Sequence, residues 1–368
     1  MKKLTSIPRP DYETKLTEIG LSYHKLDNYW KESSCYEFTQ NEARIIETAT
    51  NEVHQMCLEA VAYAIKHNRL SQMAIPEKFH QRIKESLSEP SLYGRFDFSY
   101  DGVSPPKMLE YNADTPTCLL EGAVAQRNWQ KEVLPQHTQF NSLHEKLLER
   151  WKFLGYEDIT FACIKDNEED LVFINYIVQT AIEAGINADI VFIEDLNYNI
   201  ESKHFTTDKK ITHLFKLYPY EWLMKEDFNN SLLETSTLLI EPMWKSILSN
   251  KSILPLLYEM FPKSDYLLPA YFEPHGMTQY VKKVFFSREG ANIEIVGKNS
   301  LITPGPYSGK DGHIYQEYKE LPCFDGFYPV VGSWVIGDEA AGMNIREDVK
   351  VVTTNMSHFV PHYVKIDN

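Results

Sequence analysis

"GRFDFSYDGVSPPKMLEYN", residues 94–112, reads as two strands joined by a turn at Asp101-Gly102. Side chains alternate between the faces of a strand, so Arg95 and Asp97 share one face, and Glu110 and Asn112 share one face of the next strand. A hairpin can bring those two faces into register. Two carboxylates and a carboxamide make a poor core, but they are the oxygen donors that magnesium takes alongside nucleotide phosphates. An arginine beside them can hold a carboxylate or phosphate through its two-donor fork. The alternative is a strand edge with its polar face in water.

The surroundings of this hairpin set the fold class. Residues 40–70, "QNEARIIETATNEVHQMCLEAVAYAIKHNRL", carry apolar positions at helical spacing without Gly or Pro, and predict one long amphipathic helix. "CLLEGAVAQRNWQKEVL" (118–134) predicts a second helix. From residue 151 strand and helix alternate through "ITFACI", "EEDLVFINYIVQTAIEAG", "ADIVFIED", "KKITHLFKLYP" and "STLLIEP", the pattern of a parallel α/β unit. "SNKSILPLLYEMFP" is a short helix, "QYVKKVFFSREGANIEIV" a strand, loop and strand, and "TPGPYSGKDG" a loop. The segments "HIYQEY", "FYPVVGSWVIGDEAAGMNIRED" and "KVVTTN" return to strand. Internal repeats and low-complexity linkers are absent.

Composition narrows the function. The chain has 368 residues, 43% of them hydrophobic, enough for a large core in two or three subdomains. No apolar run approaches the roughly 20 residues of a membrane helix. The opening "MKKLTSIPRPDYETK" lacks the apolar stretch of a signal peptide. Five scattered cysteines suit a reducing cytoplasm rather than a disulfide framework or zinc site. A net charge of −15 argues against nucleic acid as a partner, since phosphate backbones need a basic footprint.

Other candidates lie further along. Lys251 stands at the start of a helix, with Ser249 or Asn250 as its cap. Lys282 and Lys283 sit in an apolar strand and must face opposite ways, one into solvent and one into a cleft. "SREGANIEI" offers one glycine, Gly290, in a loop whose backbone N–H groups can face phosphates; an ordinary hairpin is the plainer reading. Arg346 in "GMNIRED" either neutralises charge on a phosphorylated intermediate or pairs with Glu347 or Asp348 at the surface. His358 and His362 have the spacing of a helical metal pair, but Pro361 breaks such a helix. Cys118 has no basic neighbour in sequence and reads as a small buried side chain.

Together these segments resemble the glutathionylspermidine synthase family, in particular its ATP-grasp synthetase domain. The resemblance lies in "GRFDFSYDG", "LEYNADTPTCLLEGAVAQ", "LLIEPMWKSILSNKSILPLLYEMFP", "YLLPAYF", "VKKVFFSREGANI", "IYQEY" and "GSWVIGDEAAGMNIRED", which follow the family's order over about residues 92–348. It implies a mixed α/β (α+β) fold of the permuted ATP-grasp type. The implied divisions are an N-terminal helical region (1–90), a core (91–150 and 311–368), an inserted α/β substrate subdomain (151–245) and a nucleotide lid (246–310). The chain begins too close to "GRFDF" for the amidase domain of bifunctional members, so a stand-alone member is expected.

The implied activity is an ATP- and magnesium-dependent carbon–nitrogen ligase working through an acyl phosphate. Asp97, Glu110 and Asn112 match the magnesium positions; Lys251 and Lys283 match the phosphate-binding lysines, with the Gly290 loop over the phosphates and Gln316 near adenine. Arg95, Thr115, Thr117 and Arg288 fall where the family contacts its peptide substrate, and Arg346, with Arg95, is the implied catalytic pair. Glu169 and Asp170 lie roughly where an acidic amine site would be, although "NEED" (167–170) is equally a capped helix start. The implied partners are small molecules: a carboxylate, for instance the peptide glutathione, and an amine, for instance a polyamine. Rival readings are a peptide or amino-acid ligase with other substrates and a nucleotide-binding regulatory protein without ligase activity. The joint presence of the lysines, arginines and carboxylates argues against the last.

Overall fold

In the computed structural model, which describes residues 1–298 and 300–366, the expected hairpin is formed by Tyr93–Ser99 and Lys107–Asn112. Arg95 lies opposite Asn112 and Asp97 opposite Glu110, with a bulge between Asp97 and Phe98. The other face is core: Phe96 stacks on its cross-strand partner Tyr111 with ring centroids 3.8 Å apart. Aromatic pairs of this kind are what hold one face of a sheet in register.

The hairpin is one side of a five-stranded antiparallel sheet. Tyr328–Ile336 pairs with Tyr93–Ser99, and Glu339–Asp348 and His358–Val360 follow outward. The helix Gln40–Lys66 packs on this sheet through Ile46, Val53 and Cys57, with the Thr50 hydroxyl 2.6 Å from that of Ser333. Its start is fixed by a capping box, Thr39 with Glu42. A small sheet of Lys2–Thr5, Ser34–Thr39 and His362–Lys365 ties the two ends of the chain together.

The alternating region folds as a four-stranded, fully parallel sheet in the order Leu238–Ile240, His213–Lys216, Asp158–Cys163, Asn187–Phe192. Helix Glu168–Glu183, capped by Asn167, connects two of its strands. A third sheet is antiparallel and runs Ala270–Tyr271, His313–Glu317, Tyr280–Val284, Ile293–Val296, Leu301–Ile302. It therefore takes in residues beyond 310.

Three local expectations change. "KVVTTN" (350–355) is a loop, because Asp348 turns the chain: its carboxylate accepts from the Lys350 N–H at 3.0 Å and from the Ser357 hydroxyl at 2.7 Å. The helix after Cys118 opens with a π turn, Glu121–Ala125, before Gln126–Val133. Lys251 precedes its helix, which runs Ile253–Met260 with Ser252 at the cap position; the Asn250 Oδ1 accepts from the Ser252 N–H at 2.9 Å, and its Nδ2 donates to the Met73 carbonyl at 2.6 Å.

Candidate active site

The five-stranded sheet, the parallel sheet and the antiparallel sheet face one cleft of about 290 Å³. Its middle is ionic. Arg95 donates to Asp97 at 2.8 Å through Nε and to the Thr117 carbonyl at 3.0 Å through a terminal nitrogen. Burial opposes the Arg95 charge, but Asp97 more than compensates and the guanidinium is held firmly protonated. The Asn112 amide lies 3.5 Å from Asp97 and 3.4 Å from Glu110, so the three oxygen-bearing side chains form one group.

Glu110 in turn meets Lys251 at 3.1 Å. Burial works against the Glu110 charge, but Lys251, Lys283 and Arg95 hold its carboxyl down at about 2. Lys251 also donates to the Ser287 carbonyl at 2.5 Å. The two neighbouring lysines of the strand Tyr280–Val284 divide as alternation requires. Lys282 faces outward near Glu294 at 3.4 Å, whereas Lys283 is buried and donates to the Leu109 carbonyl at 2.8 Å and to Gln316 at 2.7 Å. Burial lowers the Lys283 ammonium, Glu110 resists and Lys251 adds repulsion; the outcome is about 8.

Towards one end the cleft becomes an apolar slot between the two antiparallel sheets. Val281 and Ile295 are paired in register, two residues from Lys283 and Ile293 on the same face, and Leu109, Leu268 and Leu321 complete the slot. Gln316 lies at its side, its amide donating to the Met108 carbonyl at 3.1 Å.

Towards the other end stand Thr115, Thr117, Arg288, Glu169 and Asp170. Arg288 donates to Glu221 at 2.5 Å and to the Thr115 hydroxyl at 2.9 Å. Burial opposes its charge and Glu221 restores it. The Thr117 hydroxyl donates to Glu169 at 2.8 Å. Asp170 is raised to about 7 by burial first, then by Glu169 and Glu289.

Arg346 lines the same cleft, and the alternative of a surface ion pair does not describe it. Glu347 faces the opposite way, paired with Lys3 at 2.8 Å and bonded to the Tyr36 hydroxyl at 2.6 Å. Arg346 instead donates to the Thr354 carbonyl, while its Nε has no partner. The same loop covers Gly290, whose φ of +69° suits glycine and where a Cβ would strike the Thr353 carbonyl and Val352. Cys118 is buried beneath Tyr29, 3.4 Å from its hydroxyl, and burial pushes the thiol up to about 11. His362 bonds Gln126 at 2.8 Å, away from the cleft.

Among the described residues no three His, Cys, Asp or Glu side chains cluster at metal-ligand spacing. Asp97, Glu110 and Asn112 nevertheless fit magnesium, which takes one or two carboxylates and completes its shell with water and phosphate. No described helix is long and apolar enough to cross a membrane.

Sequence reasoning brought Arg95, Asp97, Glu110, Asn112, Thr115, Thr117, Glu169, Asp170, Lys251, Lys283, Arg288, Gly290, Gln316 and Arg346 forward, and all of them line this cleft. It missed Trp222, Tyr29 and the loop around Thr353, which line the cleft, and Glu221, which pairs with Arg288. It also missed the buried Lys216–Asp114 pair, 2.5 Å apart, for which a lysine between Phe215 and Leu217 was the available signal.

Comparison with known proteins agrees with this geometry. The family described as "Glutathionylspermidine synthase preATP-grasp" matches residues 3–365. A Haemophilus influenzae protein named "Putative acid–amine ligase" is 42% identical, with 99% of each chain covered. A trypanothione synthetase of Crithidia fasciculata is 27% identical over 96% of this chain, which spans 58% of that protein. The bifunctional glutathionylspermidine synthetase/amidase of Escherichia coli is 25% identical over 89% of this chain and 58% of its own length. Among solved structures, a glutathione synthetase-like effector of Globodera pallida shares the fold, with a TM-score of 0.59 at 10% identity and 96% coverage of both chains. A whole-chain family match and a full-length relative at this identity lead to one assignment: the chain belongs to the glutathionylspermidine synthase family of carbon–nitrogen ligases.

Proposed function

We propose that this protein is an ATP- and magnesium-dependent carboxylate–amine ligase that forms an amide through an acyl phosphate. The observation that carries the reading is one cleft in which Asp97, Glu110 and Asn112 face Lys251, Lys283 and Arg346, next to an apolar slot. In this reading the adenine enters the slot beside Gln316, and Lys251 and Lys283 take the phosphates, under the loop at Gly290. Magnesium held by Asp97, Glu110 and Asn112 would offset phosphate charge where the triphosphate meets a carboxylate.

The γ-phosphoryl group passes to a carboxylate oxygen of the acid, and ADP leaves. The amine nitrogen then attacks the acyl carbon, phosphate departs, and the nitrogen gives up its proton. Arg346 and Arg95 serve the charge that develops on the transferring group and the tetrahedral centre. Thr115, Thr117 and Arg288, tied to one another and to Glu169 and Glu221, shape the seat of the acid. Glu169 and Asp170, with Glu289 close enough to raise Asp170, favour a cationic amine such as a polyamine. Residues 151–245 act as the substrate subdomain and 246–310, continued by His313–Glu317, as the nucleotide lid. Five unpaired cysteines support a cytoplasmic setting.

The test is ADP release from full-length protein with Mg-ATP and a panel of acid–amine pairs, products being read by mass spectrometry. Glutathione with spermidine is the first pair to try, because relatives are named for that product. A condensed product whose mass equals that of the two substrates together less one water supports the reading. Nucleotide binding without turnover on any pair would favour a regulatory role.

A further inference from the structure

The end of the cleft away from the nucleotide slot has an apolar wall that the proposed chemistry does not use. Ile164 directly follows the strand Asp158–Cys163, and Leu217 directly follows its neighbour His213–Lys216. The Leu217 N–H donates to the Ala162 carbonyl at 2.7 Å, which fixes the two strand ends side by side. Pro219 and Trp222 continue the wall, and all four line the cleft. Open α/β sheets bind ligands at the carboxyl ends of their parallel strands, so this is where such a fold receives a substrate.

The charges around the wall are already committed. Lys216 is 2% exposed and paired with Asp114 at 2.5 Å. Arg288 lies over the Trp222 ring, 5.8 Å from its centroid, and is paired with Glu221 at 2.5 Å. The hydroxyls are committed too, Thr115 to Arg288 and Thr117 to Glu169. Glu169, Asp170 and Glu289 add negative charge at the rim. Among the described residues of this wall, a second carboxylate on the substrate would meet Lys216 and Arg288 already paired, and three acidic side chains. The one carboxylate that reacts has a place to go, towards Arg346, whose Nε has no partner.

We infer that the acid substrate is a monocarboxylic acid with an apolar body, seated against Ile164, Leu217, Pro219 and Trp222, an inference that rests on the ligase reading above. Desolvation decides the preference. An apolar body displaces water from these side chains at no polar cost, whereas a dicarboxylic acid or glutathione brings a charge that loses its hydration without gaining a partner.

The experiment uses hydroxylamine as the amine probe. The acyl phosphate formed from ATP and acid is attacked at its acyl carbon by the hydroxylamine nitrogen; phosphate leaves, a proton is released, and a hydroxamate accumulates. Full-length protein with Mg-ATP is given 4-methylpentanoate, 3-phenylpropanoate, glutarate or glutathione, and hydroxamate and ADP are both measured. The expected result is a kcat/KM for the two apolar acids at least about tenfold above that for glutarate or glutathione, the discrimination an apolar pocket typically gives. Leu217→Thr and Ile164→Thr should each shrink that ratio by about tenfold. If Leu217→Thr loses its melting transition, the half-buried Ile164 carries the test. Glutathione or glutarate preferred over the apolar acids, with ratios unmoved by either substitution, overturns the inference and leaves the ligase intact. Absence of both hydroxamate and acid-stimulated ADP release with every acid, from protein that binds and melts normally, overturns the ligase reading itself.

Discussion

Glu110 and Lys251 meet at 3.1 Å although one lies on the strand Lys107–Asn112 and the other on the turn before the helix Ile253–Met260, and Lys283 shares the same carboxylate electrostatically. One acid therefore keeps two cations together before any phosphate arrives. Glu110→Gln should leave a folded protein with turnover reduced by at least about 10²-fold, as for loss of a preorganised charge at a reacting centre. Circular dichroism with steady-state ADP release checks both halves. The pair should also contribute to acid stability. A Glu110 carboxyl near 2 in the fold, against about 4.3 unfolded, adds stability that is full above about pH 4 and fades towards pH 2.

Lys283 gives stability the same sign of pH dependence, at the alkaline end. Folding lowers its ammonium to about 8 from an unfolded value of about 10.4, so stability should rise with pH between those values. Phosphate binding needs the charged form, so affinity for a non-hydrolysable ATP analogue should fall as pH passes upward through about 8. Calorimetry across pH 7–9.5, roughly the span of a single lysine titration at this value, gives the slope. In Lys283→Arg the slope should vanish, because the guanidinium does not titrate there.

Arg346→Ala should lower turnover by about 10²–10³-fold while changing nucleotide affinity little, because its charge is needed once the phosphoryl group is in transit. Arg346→Lys should restore only part, since an ammonium cannot reproduce the planar fork. Near wild-type kcat in the alanine variant would remove the arginine from the chemistry.

Gly290 connects the lid loop to the loop after Asp348. A methyl group there would strike Val352 and the Thr353 carbonyl, and φ of +69° is unfavourable for alanine. Gly290→Ala should weaken ATP by about tenfold through a loop that no longer seats, with the melting temperature altered by only a few degrees. Protection of the 285–295 region in hydrogen exchange on adding the ATP analogue is the direct readout, and undiminished protection would refute the seating role.

The sequence exposed those parts of the site that rest on period-two alternation. Arg95, Asp97, Glu110 and Asn112 were legible because polar residues at i and i+2 interrupt an otherwise apolar hairpin, and Lys283 because it lies between Lys282 and Val284 in a strand that must bury one face. The parallel sheet was legible because strand and helix alternate over whole elements. Trp222 and Tyr29 were not, because each reaches the cleft from a short or irregular segment whose direction is set by tertiary packing. The loop after Asp348 was misread as strand because "KVVTTN" is rich in β-branched residues. Its course is decided instead by two hydrogen bonds to one aspartate, which no propensity reports.

The strand Tyr328–Ile336 lies between Tyr93–Ser99 and Glu339–Asp348, so the early hairpin gains its neighbour only from a segment made near the end of synthesis. Until that segment leaves the ribosome, Tyr93–Ser99 is an open sheet edge with aromatic side chains on one face, the kind of surface that recruits other strands. Pairings this distant in sequence are slow to form, since the loop must close before any contact rewards it. The same order of events governs the cleft. A half-made chain holds Glu110, Lys251 and Lys283 but lacks the strand that carries Arg346, so the cleft is complete only once Glu339–Asp348 has paired.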